Sequence, residues 1–141
     1  MNAADTATLA ALRLACETYA AGADRRDKTL WRSVLSEHCV IEGPGFRIEG
    51  CENNLGSLDM LGKMFRKTRH IVHQIHAEVD GDEAVSETYC TADHLMRESD
   101  EILSWSLRYK DLWRREGEGW RIAHRRLEID WEETRPVRVQ S

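Results

Sequence analysis

The apolar period of this chain changes once, near residue 66, and that change limits what it can fold into. Before it, apolar residues recur at spacings of three and four; after it, four segments read as long strands joined by short turns. The first half predicts a helix over 6–23, with Leu9, Leu12, Cys16 and Tyr19 on one stripe, Asp5 or Thr6 as cap and Gly22 loosening its end. A short helix over 28–35 follows, capped by Asp27 and turning Leu30, Trp31, Val34 and Leu35 inward. Two short strands, 38–42 and 46–49, flank the turn composition Gly43-Pro44-Gly45. A third helix is expected over 53–66, with Leu55, Leu58, Leu61 and Phe65 as its apolar face.

The second half predicts strands over 69–79, 83–95, 102–114 and 120–131. Asp80-Gly81-Asp82 and Glu116-Gly117-Glu118-Gly119 supply tight-turn chemistry between them. Long strands joined so briefly form an antiparallel meander. Helices first and one curved sheet afterwards is an α+β arrangement. The sheet must bury one face, and the N-terminal helices are the available cover. They cannot fill the whole concavity of a bent sheet, so a pocket is expected between them. Residues 1–131 read as a single domain, and 132–141, charged and carrying Pro136, as a loose tail.

Composition narrows the function. A chain of 141 residues has room for one core. With 41% apolar and 32% charged residues it is globular rather than disordered. A net charge of −5 argues against a nucleic-acid-binding surface, which is basic. No run of 18 apolar residues is present, so no membrane span is expected. The apolar stretch 7–16 has no basic leader and is followed by Glu17 and by Asp24-Arg25-Arg26-Asp27, which is not a signal peptide pattern. Cys16, Cys39, Cys51 and Cys90 lack C-x-x-C spacing and read as free buried thiols of a cytoplasmic protein.

His70, His73 and His76 invite a metal reading, which strand geometry opposes. Alternation turns His70 and His76, with Val72 and Gln74, to one face and His73 to the other. Six residues along a strand span about 20 Å, too far for one shared ion. No metal is expected. On the next strand Tyr89, Thr91 and Asp93 share one face, and Cys90, Ala92 and His94 the other; a one-residue bulge would decide whether Asp93 or His94 faces the pocket. On the last strand Arg125 shares a face with Ala123, Leu127 and Ile129. A cation among apolar neighbours needs a partner, so a structural ion pair is one reading of Arg125 and an anion-holding role the other.

Three stretches together carry a resemblance: Tyr19-Ala-Ala-Gly-Ala-Asp24 at the end of the first helix, Thr68-Arg69-His70-Ile-Val-His-Gln74 opening the first long strand, and Gly119-Trp120-Arg-Ile-Ala-His-Arg125-Arg126 in the last. Over about residues 6–131 the chain resembles the SnoaL-like group of the nuclear transport factor 2 superfamily. That resemblance implies a cone-shaped α+β barrel of the cystatin-like type, with helices packed on a curved antiparallel sheet. The subset with Asp at the helix end and His at this strand start includes scytalone dehydratase, hexachlorocyclohexane dehydrochlorinase and bile acid 7α-dehydratase. The dyad of that subset falls on Asp24 and His70. Its tyrosine falls on Tyr19, its second acidic group on Asp93, a possible second histidine on His94, and its late arginine on Arg125. Gln74 stands where many relatives carry Asn, a departure that leaves the dyad untouched.

The resemblance implies a cofactor-independent lyase or isomerase. An Asp–His base would take a carbon-bound proton from a small hydrophobic molecule, polyketide-, steroid- or aromatic-like, most simply in a dehydration. Tyr19 would donate to a developing oxyanion, Arg125 would hold an anion or orient Asp24, and Asp93 or His94 would protonate a leaving hydroxyl. The same fold also serves non-catalytic ligand-binding modules and accessory subunits. A homo-oligomer, dimer or trimer, is expected, and no phosphate loop or dinucleotide fingerprint calls for a cofactor.

Overall fold

A computed structural model describes residues 1–140. The elements are β1 (Asn2–Ala3), α1 (Thr6–Arg25), α2 (Lys28–Val34), β2 (Leu35–Gly43), β3 (Phe46–Glu49), α3 (Cys51–Met64), β4 (Phe65–Asp80), β5 (Glu83–Met96), β6 (Glu101–Glu116) and β7 (Gly119–Pro136). Side-chain caps set where the first two helices start: Asp5 Oδ1 accepts from the Thr8 N–H at 2.8 Å, and Asp27 Oδ1 from the Leu30 N–H at 3.2 Å. α2 and α3 pass straight into strands at Leu35 and Phe65. The third helix and the first long strand therefore both begin earlier than their apolar patterns suggest.

The sheet has seven strands in the order β1-β4-β5-β6-β7-β2-β3. Its long strands are antiparallel, as their short turns require. β2 instead runs parallel to β7, so the β2–β3 hairpin extends the same sheet. The three helices supply one face of the core. Leu12 and Cys16 of α1, Leu55 and Leu58 of α3, and Trp113 and Ile122 of β6 and β7 are almost completely buried. Each large apolar side chain so placed contributes about 1.5–3 kcal/mol.

Three strand expectations need correction. The β4–β5 register shifts between Val72 and Ile75, where β4 carries an extra residue. Beyond that bulge the faces exchange: His70 and Val72 lie opposite Ala92 and Cys90, but His76 lies opposite Glu87, so His70 and His76 do not share a face. A second shift, between Leu112 and Trp113, takes Ala123 out of register and puts Arg125 on the face of Ile122. Finally, β7 does not stop at residue 131. Glu132, Glu133, Thr134, Arg135 and Pro136 pair with β6 residues from Trp105 back to Glu101. β6 is long enough to template that extension, which is why a charged segment is extended rather than loose.

Candidate active site

α1 lies along the free edge of β4. β1 pairs only with Glu78 and Val79 of that edge, so the backbone groups of the N-terminal half need other partners. α1 side chains supply them. Arg13 Nη1 donates to the His73 carbonyl at 2.6 Å, and Asp24 Oδ2 accepts the His70 backbone N–H at 2.9 Å. The same contact brings the two side chains together: His70 Nδ1 is 2.7 Å from Asp24 Oδ1. A carboxylate only accepts, so this contact puts a ring proton on Nδ1, and in the neutral ring Nε2 keeps its lone pair. Thr68 Oγ1 donates to the same Asp24 oxygen at 3.0 Å and accepts from Arg26 Nη1 at 2.7 Å. The His70 side chain is 9% exposed and that of Asp24 25%. Both line a groove of about 410 Å³ between α1 and β4, with Ala20, Ala21, Ile71 and Val72 as its apolar wall. A larger hollow of about 490 Å³ lies elsewhere on the sheet, among Glu42, Glu87, Lys110 and Arg126, and does not include the dyad.

Register decides between Asp93 and His94. His94 lies opposite Thr68, on the His70 side of the sheet, and the two imidazoles meet edge-on with centroids 6.1 Å apart. Phe65 and Trp105 flank the His94 ring, each 4.7 Å away. Its Nδ1 donates to the Leu103 carbonyl at 2.9 Å. Burial lowers the His94 pKa below the usual 6.5, and the pull of that carbonyl does not offset it. The ring is thus neutral at pH 7 and presents Nε2 as an acceptor, so it holds no spare proton for a leaving hydroxyl. Asp93 lies opposite Arg69 and Ser104, on the other face, where its Oδ1 accepts from Ser104 Oγ at 2.5 Å. No bulge interrupts the alternation of β5 here, so of the two it is His94, not Asp93, that shares the face of His70.

Arg125 and Tyr19 belong to a buried cluster beside the dyad. Arg125 donates through Nε and Nη2 to the two Asp111 oxygens, each at 2.8 Å, and both side chains are fully buried. Burial alone would lower the Arg125 pKa; the Asp111 charge and hydrogen bonds outweigh it and hold it well above its ordinary value. Its guanidinium carbon lies 4.3 Å from the Tyr19 ring centroid and 3.8 Å from that of Tyr109. Among the described residues, Arg125 makes no hydrogen bond to Asp24 or His70; the structural ion pair is formed, and the buried Nη1 is left without a hydrogen-bond partner. Tyr19 stacks on Trp31 with centroids 4.4 Å apart. Burial pushes its hydroxyl up to about 12, against the opposing pull of Arg125, so the phenol keeps its proton at neutral pH.

The chain matches the model of the SnoaL-like domain over residues 4–126. It belongs to the SnoaL-like domain family. Solved structures agree on the fold of this SnoaL-like domain. A hexachlorocyclohexane dehydrochlorinase (LinA) of type 2 is 16% identical with a TM-score of 0.86, over 96% of this chain and 93% of that one. A putative scytalone dehydratase from Novosphingobium aromaticivorans is 20% identical with a TM-score of 0.79, over 93% and 88%. A protein of unknown function with a cystatin-like fold from Nostoc punctiforme is 19% identical with a TM-score of 0.77, over 92% and 96%. Comparison with curated proteins by sequence gives no match.

Within this SnoaL-like domain, sequence reasoning missed three residues that touch the site: Thr68, Arg26 and Asp111. Thr68 stands two before His70 on one strand face, so alternation alone could have paired them. Arg26 gives no such signal. It occupies the left-handed cap of α1, at φ 53° and ψ 43°, where glycine is the usual residue. Asp111 follows from counting: a buried Arg125 demands an anion on a neighbouring strand, and Asp111 is its register partner.

Proposed function

We propose that this SnoaL-like domain is a cofactor-independent lyase or isomerase in which His70 is the general base and Asp24 its partner. The observation that carries this reading is the doubly tied carboxylate: Oδ2 on the His70 backbone, Oδ1 on the His70 ring at 2.7 Å. It orients the imidazole, fixes its tautomer and offsets the charge that arrives with the proton. The substrate class is a small hydrophobic molecule with a hydrogen acidified by an adjacent carbonyl. His70 Nε2 takes that proton, and the C–H electron pair moves onto the carbonyl oxygen as an enolate. In an elimination the enolate collapses, a carbon–carbon double bond forms, and a hydroxyl or halide leaves from the neighbouring carbon. The His70 imidazolium can return its proton to a departing oxygen. In an isomerisation the proton returns to a different carbon.

Two assignments differ from the resemblance. His94, neutral and with its Nδ1 proton committed to Leu103, packs beside His70 and is not the acid for a leaving hydroxyl. Arg125, bound to Asp111, acts by holding Tyr19 in place. The groove beside the dyad is apolar on one wall and charged by Glu17 and Arg25, which favours a mainly hydrophobic molecule with a polar group.

The test is a panel of hydrophobic hydroxy-, halo- and unsaturated carbonyl compounds, followed by absorbance for loss of water or halide or for double-bond migration. A compound turned over by the wild type should lose about 10²–10⁴-fold in rate with His70→Ala, at unchanged circular dichroism. A His70→Ala protein that retains the rate refutes the mechanism; binding of panel members without turnover of any favours a ligand-binding module.

A further inference from the structure

The only non-glycine residue with positive φ among the described residues is Arg26, at φ 53°. A left-handed arginine is unfavourable by about 1 kcal/mol or more relative to glycine, so something must hold it there. Its backbone N–H caps α1 on the Ala23 carbonyl, which a glycine would do equally well. Its side chain does what glycine cannot. Nη1 turns back to the Ala23 carbonyl at 2.5 Å and to Thr68 Oγ1 at 2.7 Å.

The direction of the next bond then follows from valence. A guanidinium only donates, so the Thr68 hydroxyl accepts from Arg26 and its single proton is free for one acceptor. Asp24 Oδ1 is that acceptor, at 3.0 Å. Thr68 is 3% exposed, so water does not readily compete for the hydroxyl. Other charged or titratable groups near the pair are Glu17 and Arg25 at the groove rim, His94 opposite Thr68 on the adjacent strand, and Arg97 near Arg26.

We propose that Arg26 and Thr68 form a positioning relay that holds the Asp24 carboxylate in the one orientation that keeps the His70 proton on Nδ1. Thr68 also keeps Arg26 and Asp24 apart. Without its hydroxyl the guanidinium can take the carboxylate as its own partner and draw it off the imidazole. The inference rests on the proposed base role of His70 for its catalytic consequence, but its readout needs no substrate.

The experiment is nitrogen-15 NMR of histidine-labelled full-length protein, reading the His70 Nδ1–H resonance, its exchange with water and the ring tautomer. Thr68→Val removes the hydroxyl at constant shape; Arg26→Gly removes the side chain while suiting the backbone; Thr68→Ser restores the hydroxyl. The wild type should show one Nδ1–H tautomer. Thr68→Val and Arg26→Gly should each speed Nδ1 proton exchange by about tenfold or more and admit the second tautomer, while Thr68→Ser stays near wild type. Arg26→Gly should keep or raise the melting temperature, so loss of fold cannot imitate loss of the relay. Exchange no faster in either variant overturns the relay. Faster exchange in Thr68→Val alone overturns the part assigned to Arg26. Once a substrate is known, an unchanged rate in Thr68→Val with its exchange accelerated would separate failure of the base reading from failure of the relay.

Discussion

At the scale of single residues, the two imidazoles of the site share one arrangement. His70 Nε2 and His94 Nε2 are both left as lone pairs, because each ring gives its Nδ1 proton to a fixed oxygen. His94 adds a pH dependence with a definite sign. In an unfolded chain an imidazole protonates near about pH 6.5, and in the folded chain burial holds His94 below that value. Between the two values the unfolded chain binds more protons, so this contribution to stability is full above about pH 6.5 and is lost as pH falls toward the folded value. Thermal melts from about pH 7 to about pH 5 should therefore fall less steeply for His94→Gln than for the wild type. Equal slopes would mean that the buried ring does not resist protonation.

At the scale of elements, the placement of Asp24 depends on how closely α1 and α2 approach. Trp31 Nε1 donates to the Tyr19 carbonyl at 2.9 Å, and a Cβ at Gly22 would lie 2.4 Å from Trp31 Cδ1. Gly22 is thus the close-approach residue of the helix pair. Gly22→Ala should destabilise by about 1–3 kcal/mol through overpacking. Gly56→Ala in α3, where an added Cβ meets nothing within 4 Å, should stabilise by about 0.5–1 kcal/mol through helix propensity. Chemical denaturation of both variants checks the pair, and the same sign in both would contradict it. Gly22 also shows what the sequence could carry. It reads as a residue that loosens a helix end, since its crossing partner nine residues on is a tertiary fact. The same divide runs through the strands. Period and turn chemistry placed all four long strands, because both are local properties. The bulges at His73-Gln74 and at Ala123 were invisible, since a bulge belongs to a strand pair, and each exchanged the faces beyond it. The dyad was legible only through resemblance, because Asp24 and His70 are 46 residues apart and each alone looks ordinary.

At the scale of the whole molecule, two separate contacts tie the helix that carries Asp24 to the sheet that carries His70. One is the edge of β4, where Arg13 and Asp24 of α1 satisfy backbone groups. The other is the buried cluster, where Arg125 of β7 and Asp111 of β6 lie against Tyr19 of α1. The pair of charges is a poor source of net stability, yet removal of one partner would strand the other in the core at a cost of about 3–5 kcal/mol. Such a framework suits a base that must hold its geometry through proton transfer, and the most direct measurement is of that transfer itself. Deuterium uptake from heavy water at the acidified carbon of a substrate, followed by NMR, reads carbon deprotonation whether elimination or isomerisation follows. Asp24→Asn keeps the size of the side chain and an oxygen for the His70 backbone N–H, but turns an N–H toward the ring and moves the imidazole proton to Nε2. The wild type should exchange the carbon-bound hydrogen, and Asp24→Asn should do so about 10²–10⁴-fold more slowly with its fold intact. An Asp24→Asn protein that exchanges as fast as the wild type would contradict the Asp–His base.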